Sequence, residues 1–153
     1  MSARDRRRPS PLATDPLYAA FARLVRVQTR MWNELDARLR SSRSIPLADL
    51  TVLEVVAAVD GCRVQDIVDL LHITVGGASK VVDRLAAAGH VTRSANPHDR
   101  RSSVLTVTAQ GHELLQHAKP EIDQVLAPYL TGALSNRGLA ELDRLLTAMA
   151  DAS

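Results

Sequence analysis

The feature that most constrains this chain of 153 residues is a gap of only three residues between two helical repeats. Before the gap, Val64, Ile67, Val68 and Leu71 recur at helical spacing; after it, Val75, Ala78, Val82 and Leu85 form a second apolar stripe. Only His72, Ile73 and Thr74 lie between them. Two amphipathic helices joined so tightly predict a helix-turn-helix, whose second helix is the natural reader of a DNA groove. Thr74 suits an N-cap, since its hydroxyl can accept from an orphan amide of the first turn, and Gly89 suits the stop. On the side opposite the stripe fall Gly76, Gly77, Lys80 and Arg84, and steps of three and four keep these within reach of one groove.

From Val91 the period turns from helical to alternating. The β-branched run Val104 to Val107 and the turn cluster Asn96-Pro97-His98-Asp99 predict a β-hairpin. Its flanks and tip carry Arg93, Arg100 and Arg101, more arginine than packing requires, so the hairpin reads as a wing against phosphates or in a minor groove.

With these pieces in order, the stretch resembles the MarR family of bacterial winged-helix transcription factors. The matching segments are VQDIVDLL, ITVGGASKVVDRLAAAGHV, the wing NPHDRRSS, and LTVTAQG leading into the next helix. The resemblance implies that the Asp-x-Arg pair of the wing falls on Asp99 and Arg101, with Arg101 entering the minor groove. It also implies a short strand near Cys62 and Arg63 pairing with the wing. One departure stands out. Gly76 and Gly77 occupy positions where a polar side chain usually touches bases, at a helix cost of about 1 kcal/mol each relative to Ala. That predicts a start that is frayed or that approaches DNA closely, and it shifts base readout towards Ser79, Lys80 and Arg84, with an intrahelical or interhelical structural pair as the alternative role of Asp83 and Arg84.

Composition narrows the alternatives. The chain is long enough for one domain with a real core and too short for a separate sensor domain, so an effector site must share the DNA-binding fold. Hydrophobic residues make up 46% of it and aromatics 3%, which favours a helical core of Ala, Leu and Val. The formal charge is only +2, but it is unevenly spread. Residues 1–8 hold four arginines against Asp5, and residues 74–108 hold Lys80, Arg84, Arg93, Arg100 and Arg101 against Asp83 and Asp99. Positive charge therefore gathers where contact with phosphates is expected. One cysteine excludes an intrachain disulfide, and neither an apolar span nor a signal peptide is seen, so a cytosolic location is expected.

Residues 1–14 read as a disordered basic tail and residues 15–153 as one winged-helix domain. Within it the DNA-binding lobe covers about 47–108, and the dimerisation helices about 15–40 and 109–151. Asp15-Pro16 starts a helix to about Arg40 with Leu17, Phe21, Leu24, Met31, Leu35 and Leu39 in a heptad-like stripe, followed by a loop over residues 41–44. A helix from Leu47 to Asp60 turns Leu50, Leu53, Val56 and Ala57 inward. Thr108 caps a helix from Ala109 to about Leu130, with a kink near Pro120 or a break near Pro128. Ser135 caps the last helix, whose apolar side is Leu139, Leu142, Leu145, Leu146 and Met149. The two terminal stripes predict a subunit interface.

No catalytic or metal constellation emerges. His112 and His117 are spaced five apart and diverge on a helix, and His72, His90 and His98 have no ligand partners at metal spacing. No nucleophile elbow, phosphate loop or acid pair is present, so neither catalysis nor a cofactor is expected. Cys62 reads as a buried thiol, with a redox sensor as the alternative. The function expected is a homodimeric, sequence-specific regulator, a repressor released by a small-molecule effector and bound to an inverted-repeat operator in double-stranded DNA. The competing reading is a winged-helix module for protein–protein contact.

Overall fold

The computed structural model describes residues 15–96 and 99–152, with the side chains of Asn96 and of residues 99–101 left undescribed. The tail of residues 1–14 and the wing tip at Pro97 and His98 lie outside the described residues, as do the side chains of Asp99, Arg100 and Arg101. Six helices and one hairpin follow in the order α1 (Pro16–Arg43), α2 (Leu47–Ala58), α3 (Val64–Leu71), α4 (Val75–Ala87), β1 (Val91–Asn96), β2 (Asp99–Val107), α5 (Ala109–Leu126) and α6 (Asn136–Asp151). The fold is mainly α, a winged helix-turn-helix with long terminal helices.

α1 begins as its sequence predicts, with Asp15 Oδ1 accepting from Leu17 N at 2.9 Å and Pro16 in the first turn. It ends later than Arg40. Residues 41–43, expected as loop, are helical because their side chains have tertiary work. Ser41 and Ser42 donate to Arg38 O, Ser42 also donates to Glu121 of α5, and Arg43 Nε reaches Glu121 Oε1 at 2.8 Å. Arg38 Nε lies 3.3 Å from the same carboxylate. Glu121 is thus a hub fastening the last turn of α1 to α5, and the helix closes at Ser44 in the left-handed region.

α2 is the centre of the lobe, packing on α1, α3, α4, α5 and β2. It has no capping side chain of its own; Asp36 of α1 accepts from Leu47 N at 2.8 Å instead. It stops at Ala58 rather than Asp60. Leu47, Leu50, Val52, Leu53 and Val56 are buried, whereas Ala57, expected inward, is exposed. A helix covered on several sides has a broad apolar surface, so a single stripe describes it poorly.

α3 and α4 meet at His72, whose φ of 51° turns the chain sharply. The two strands pair antiparallel, Val91 opposite Val107 and Arg93 opposite Leu105. The strand expected at Cys62 and Arg63 reduces to one backbone bond, from Leu105 N to Cys62 O at 2.7 Å, and the sheet among the described residues has two strands. The core gathers Leu39 of α1 with Leu53, Ile67, Val82, Leu85, Val91, Leu105 and Ala118.

α5 is capped by Thr108 and carries Pro120 within it; it ends at Leu126, earlier than Leu130, and Pro128 falls in the following turns. Gly111 in its first turn is buried, and a Cβ there would collide with His90 O and the Val107 side chain, so only glycine lets α5 press against the base of the hairpin. α6 is capped by Ser135, and none of its residues is buried. Among the described residues no helix is long and apolar enough to cross a membrane.

Candidate nucleic-acid interface

The reading helix is seated first by its cap. Thr74 Oγ1 accepts from Gly77 N at 3.1 Å, so the start of α4 is closed despite two glycines. Its buried side is Ala78, Val81, Val82 and Leu85. Val75, expected to begin that stripe, is 55% exposed, and Val81 takes its place. At 100° per residue this rotation puts Gly76 opposite the buried row, with Lys80, Asp83 and Ala87 beyond it in steps of four, three and four. All four are exposed.

Two ion pairs hold this face. Asp49 of α2, buried, accepts from Arg84 Nε at 2.9 Å and from Nη2 at 2.5 Å, a two-pronged tie between α2 and α4. The hydrogen bond to Asp49 raises the Arg84 pKa further above its ordinary value, and the guanidinium stays charged. Of the two roles expected for Arg84, reader or member of a structural pair, the geometry shows the second, an interhelical brace. Asp83 faces outward, where a free carboxylate would repel phosphates, but Arg93 of β1 meets it at 2.5 Å. That pair neutralises the acid and ties the wing to the reading helix.

Ser79 and Lys80 remain as the polar side chains of the predicted set that make no hydrogen bond or ion pair within the described chain. Beside them lies an open cleft of about 430 Å³ between α3, α4 and the wing, lined by Arg63, Val75, Ser79, Arg93 and Ser102 among others. Of the predicted residues the structure brings Ser79 and Arg93 to this cleft, leaves Gly76 and Lys80 on the exposed face of α4 beside it, and turns Arg84 towards α2. The backbone of Asp99, Arg100 and Arg101 continues it as the start of β2. Asp49 was missed from sequence; its signal is an acid between the inward positions Leu47 and Leu50.

Other candidate centres do not assemble. Among the described residues no three His, Cys, Asp or Glu side chains group as a metal site. Cys62 is fully buried, and burial, with the Asp66 carboxylate adding to it, pushes its thiol up to about 11. Such a group is mostly protonated at neutral pH and a poor nucleophile.

Comparison with known proteins fits this geometry. Residues 44–102 match the MarR family model, a span that starts at the α1–α2 turn and ends in the wing. Over that span the chain is similar to the MarR family. Sco3205 of Streptomyces coelicolor, a MarR family transcriptional regulator solved in complex with DNA, superposes with a TM-score of 0.78 at 20% identity, over 88% of this chain and 85% of that one. Wild-type MarR of E. coli in its apo form gives 0.70 at 25% identity, over 84% and 95%. BpsR of Bordetella bronchiseptica, studied for the regulation of its DNA binding by 6-hydroxynicotinic acid, gives 0.78 at 23% identity, over 95% and 100%. No curated protein matches the sequence. The likenesses extend the MarR architecture beyond the matched lobe to α1, α5 and α6.

Proposed function

We propose that this chain is a homodimeric, sequence-specific DNA-binding transcriptional regulator that acts as a repressor and is released by a small-molecule effector. The observation that carries the reading is the exposed face of α4 with the wing beside it: Lys80 open to solvent, Ser79 half-buried at the edge of the cleft, Asp83 neutralised by Arg93, and the arginines at 100 and 101 next in line. A symmetric pair of such faces fits successive major grooves, with half-site centres about 10 base pairs apart. Thr74, Gly76, Gly77, Ser79 and Lys80 face the groove, Arg84 and Arg93 position the helix and wing, and Asp99, Arg100 and Arg101 serve the wing tip. The dimer is supported by the apolar side chains that one chain leaves uncovered, Leu17, Phe21 and Leu24 on α1 with Leu145, Leu146 and Met149 on α6. Release by a small molecule is supported by the likeness to BpsR. The buried, hard-to-ionise Cys62 speaks against thiol control.

The test is binding to duplexes selected from a random-sequence pool, followed across a salt series. A DNA regulator selects an inverted repeat and loses affinity steeply as salt rises, whereas a protein–protein module selects nothing above background. Adding five base pairs between half-sites is expected to abolish binding by turning one of them to the far side of the duplex.

A further inference from the structure

Glycine at position 76 has no explanation within the fold. Its φ is not in the left-handed region, and a Cβ built there meets nothing within 4 Å. Alanine fits the space and is the better helix former. The missing side chain lies at the middle of the outward face, one turn before Lys80, and beside it the isopropyl group of Val75 is 55% exposed. Of the other polar groups on this helix, the Thr74 hydroxyl caps Gly77, Arg84 is held by Asp49, and Asp83 by Arg93, which leaves only Ser79 and Lys80 to read bases by hydrogen bonds. The first turn of the reading helix therefore offers an aliphatic surface with a notch beside it, rimmed by Lys80 and Arg93.

Resting on the DNA-binding reading above, we propose that Val75 and Gly76 determine specificity by apolar readout of thymine. Among base edges in the major groove, only thymine presents an apolar group, its C5-methyl. Gly76 lets the helix backbone come a side chain's depth closer to the base edges, and Val75 packs on the methyl group that this approach brings into contact. The cationic rim matches a duplex and disfavours another apolar protein surface, since Lys80 would lie unpaired against it. Each half-site then contains a thymine fixed by the first turn of α4, next to the base that Lys80 contacts.

The experiment uses the full-length protein and a duplex selected from a random pool, with each thymine replaced singly by deoxyuridine, which removes the methyl group and nothing else. One thymine per half-site is expected to show a loss of about fourfold, the factor one buried methyl group contributes, and about 15-fold when both half-sites are changed. Val75→Ala is expected to bind the thymine and deoxyuridine duplexes alike. Gly76→Ala is expected to raise Tm by about 2 to 4 °C while weakening binding about tenfold, an opposition that a merely structural glycine would not produce. Failure to select any duplex overturns the DNA-binding reading and this inference with it. A selected duplex indifferent to every thymine replacement, or Gly76→Ala binding undiminished, overturns the apolar readout alone. A fall in oligomeric state for Val75→Ala would assign the patch to a protein contact and equally overturn it.

Discussion

The brace between Asp49 and Arg84 predicts an asymmetry between its two halves. The Asp49 side chain is 6% exposed and that of Arg84 is 54% exposed, so removing one partner strands the other in very different surroundings. Arg84→Ala leaves a buried carboxylate without its two charged donors, which costs about 2 to 3 kcal/mol. Asp49→Ala leaves a guanidinium that can turn into water, which costs about 1 kcal/mol. The double variant strands neither group and is expected to lie closer to Asp49→Ala than to Arg84→Ala. Urea unfolding followed by circular dichroism gives these differences, provided every variant is compared at one protein concentration, because dimerisation makes apparent stability concentration-dependent. DNA binding then separates positioning from reading. If Arg84 acts by seating α4, adding Asp49→Ala to Arg84→Ala recovers part of the lost affinity; if it contacts guanine directly, no recovery follows. Equal costs for the two single variants, or a double variant as unstable as their sum, would refute the argument.

Three further outcomes are expected. Arg101→Ala should weaken binding to the selected duplex by about 1 to 3 kcal/mol and lower the salt slope by about one, with the dimer intact in sedimentation; unchanged affinity at moderate salt would remove the wing from the interface. A chain truncated after Asn136 lacks α6 and should lose dimerisation and specific binding together, so a stable dimer of that form would show that the terminal helices are not the interface. Glu121 is held below the ordinary carboxylate value of 4.5, first by the Ser42 hydroxyl and then by Arg43 and Arg38. Its stabilising contribution is complete above that value and is lost as pH falls through the depressed folded pKa, so Glu121→Gln should flatten the acid limb of a melting-temperature curve against pH.

The order of elements, the caps at Asp15, Thr74, Thr108 and Ser135, and the location of the reading helix were legible because each rests on local spacing and local hydrogen bonding. The rotation of α4 was not. Valines at 75 and 81 both complete a three-and-four pattern with Ala78, Val82 and Leu85, and only tertiary packing decides which is covered. The end of α1 was hidden for a related reason: serine has no strong helical preference, and the clamp that keeps residues 41–43 helical comes from Glu121, some 80 residues away. A structural pair was a legible alternative for Arg84, but its partner was not, because Asp49 lies 35 residues away on another helix. The wing-tip arginines stay as the sequence presents them, since their side chains lie outside the described residues.

The contact at Gly111 bears on how such a regulator can be taken apart and rebuilt. A natural place to join the helix-turn-helix and wing of this chain to the terminal helices of another protein of the same fold is the junction at Thr108, where the wing ends and α5 begins. Yet the first turn of α5 lies so close to His90 and Val107 that no side chain fits between them. A hybrid joined there with alanine or anything larger at position 111 would push α5 away from the hairpin and alter the angle between the wing and the helix that follows it. The workable seam lies beyond Gly111, so that the donor of the wing also supplies the first turn of the helix that follows it.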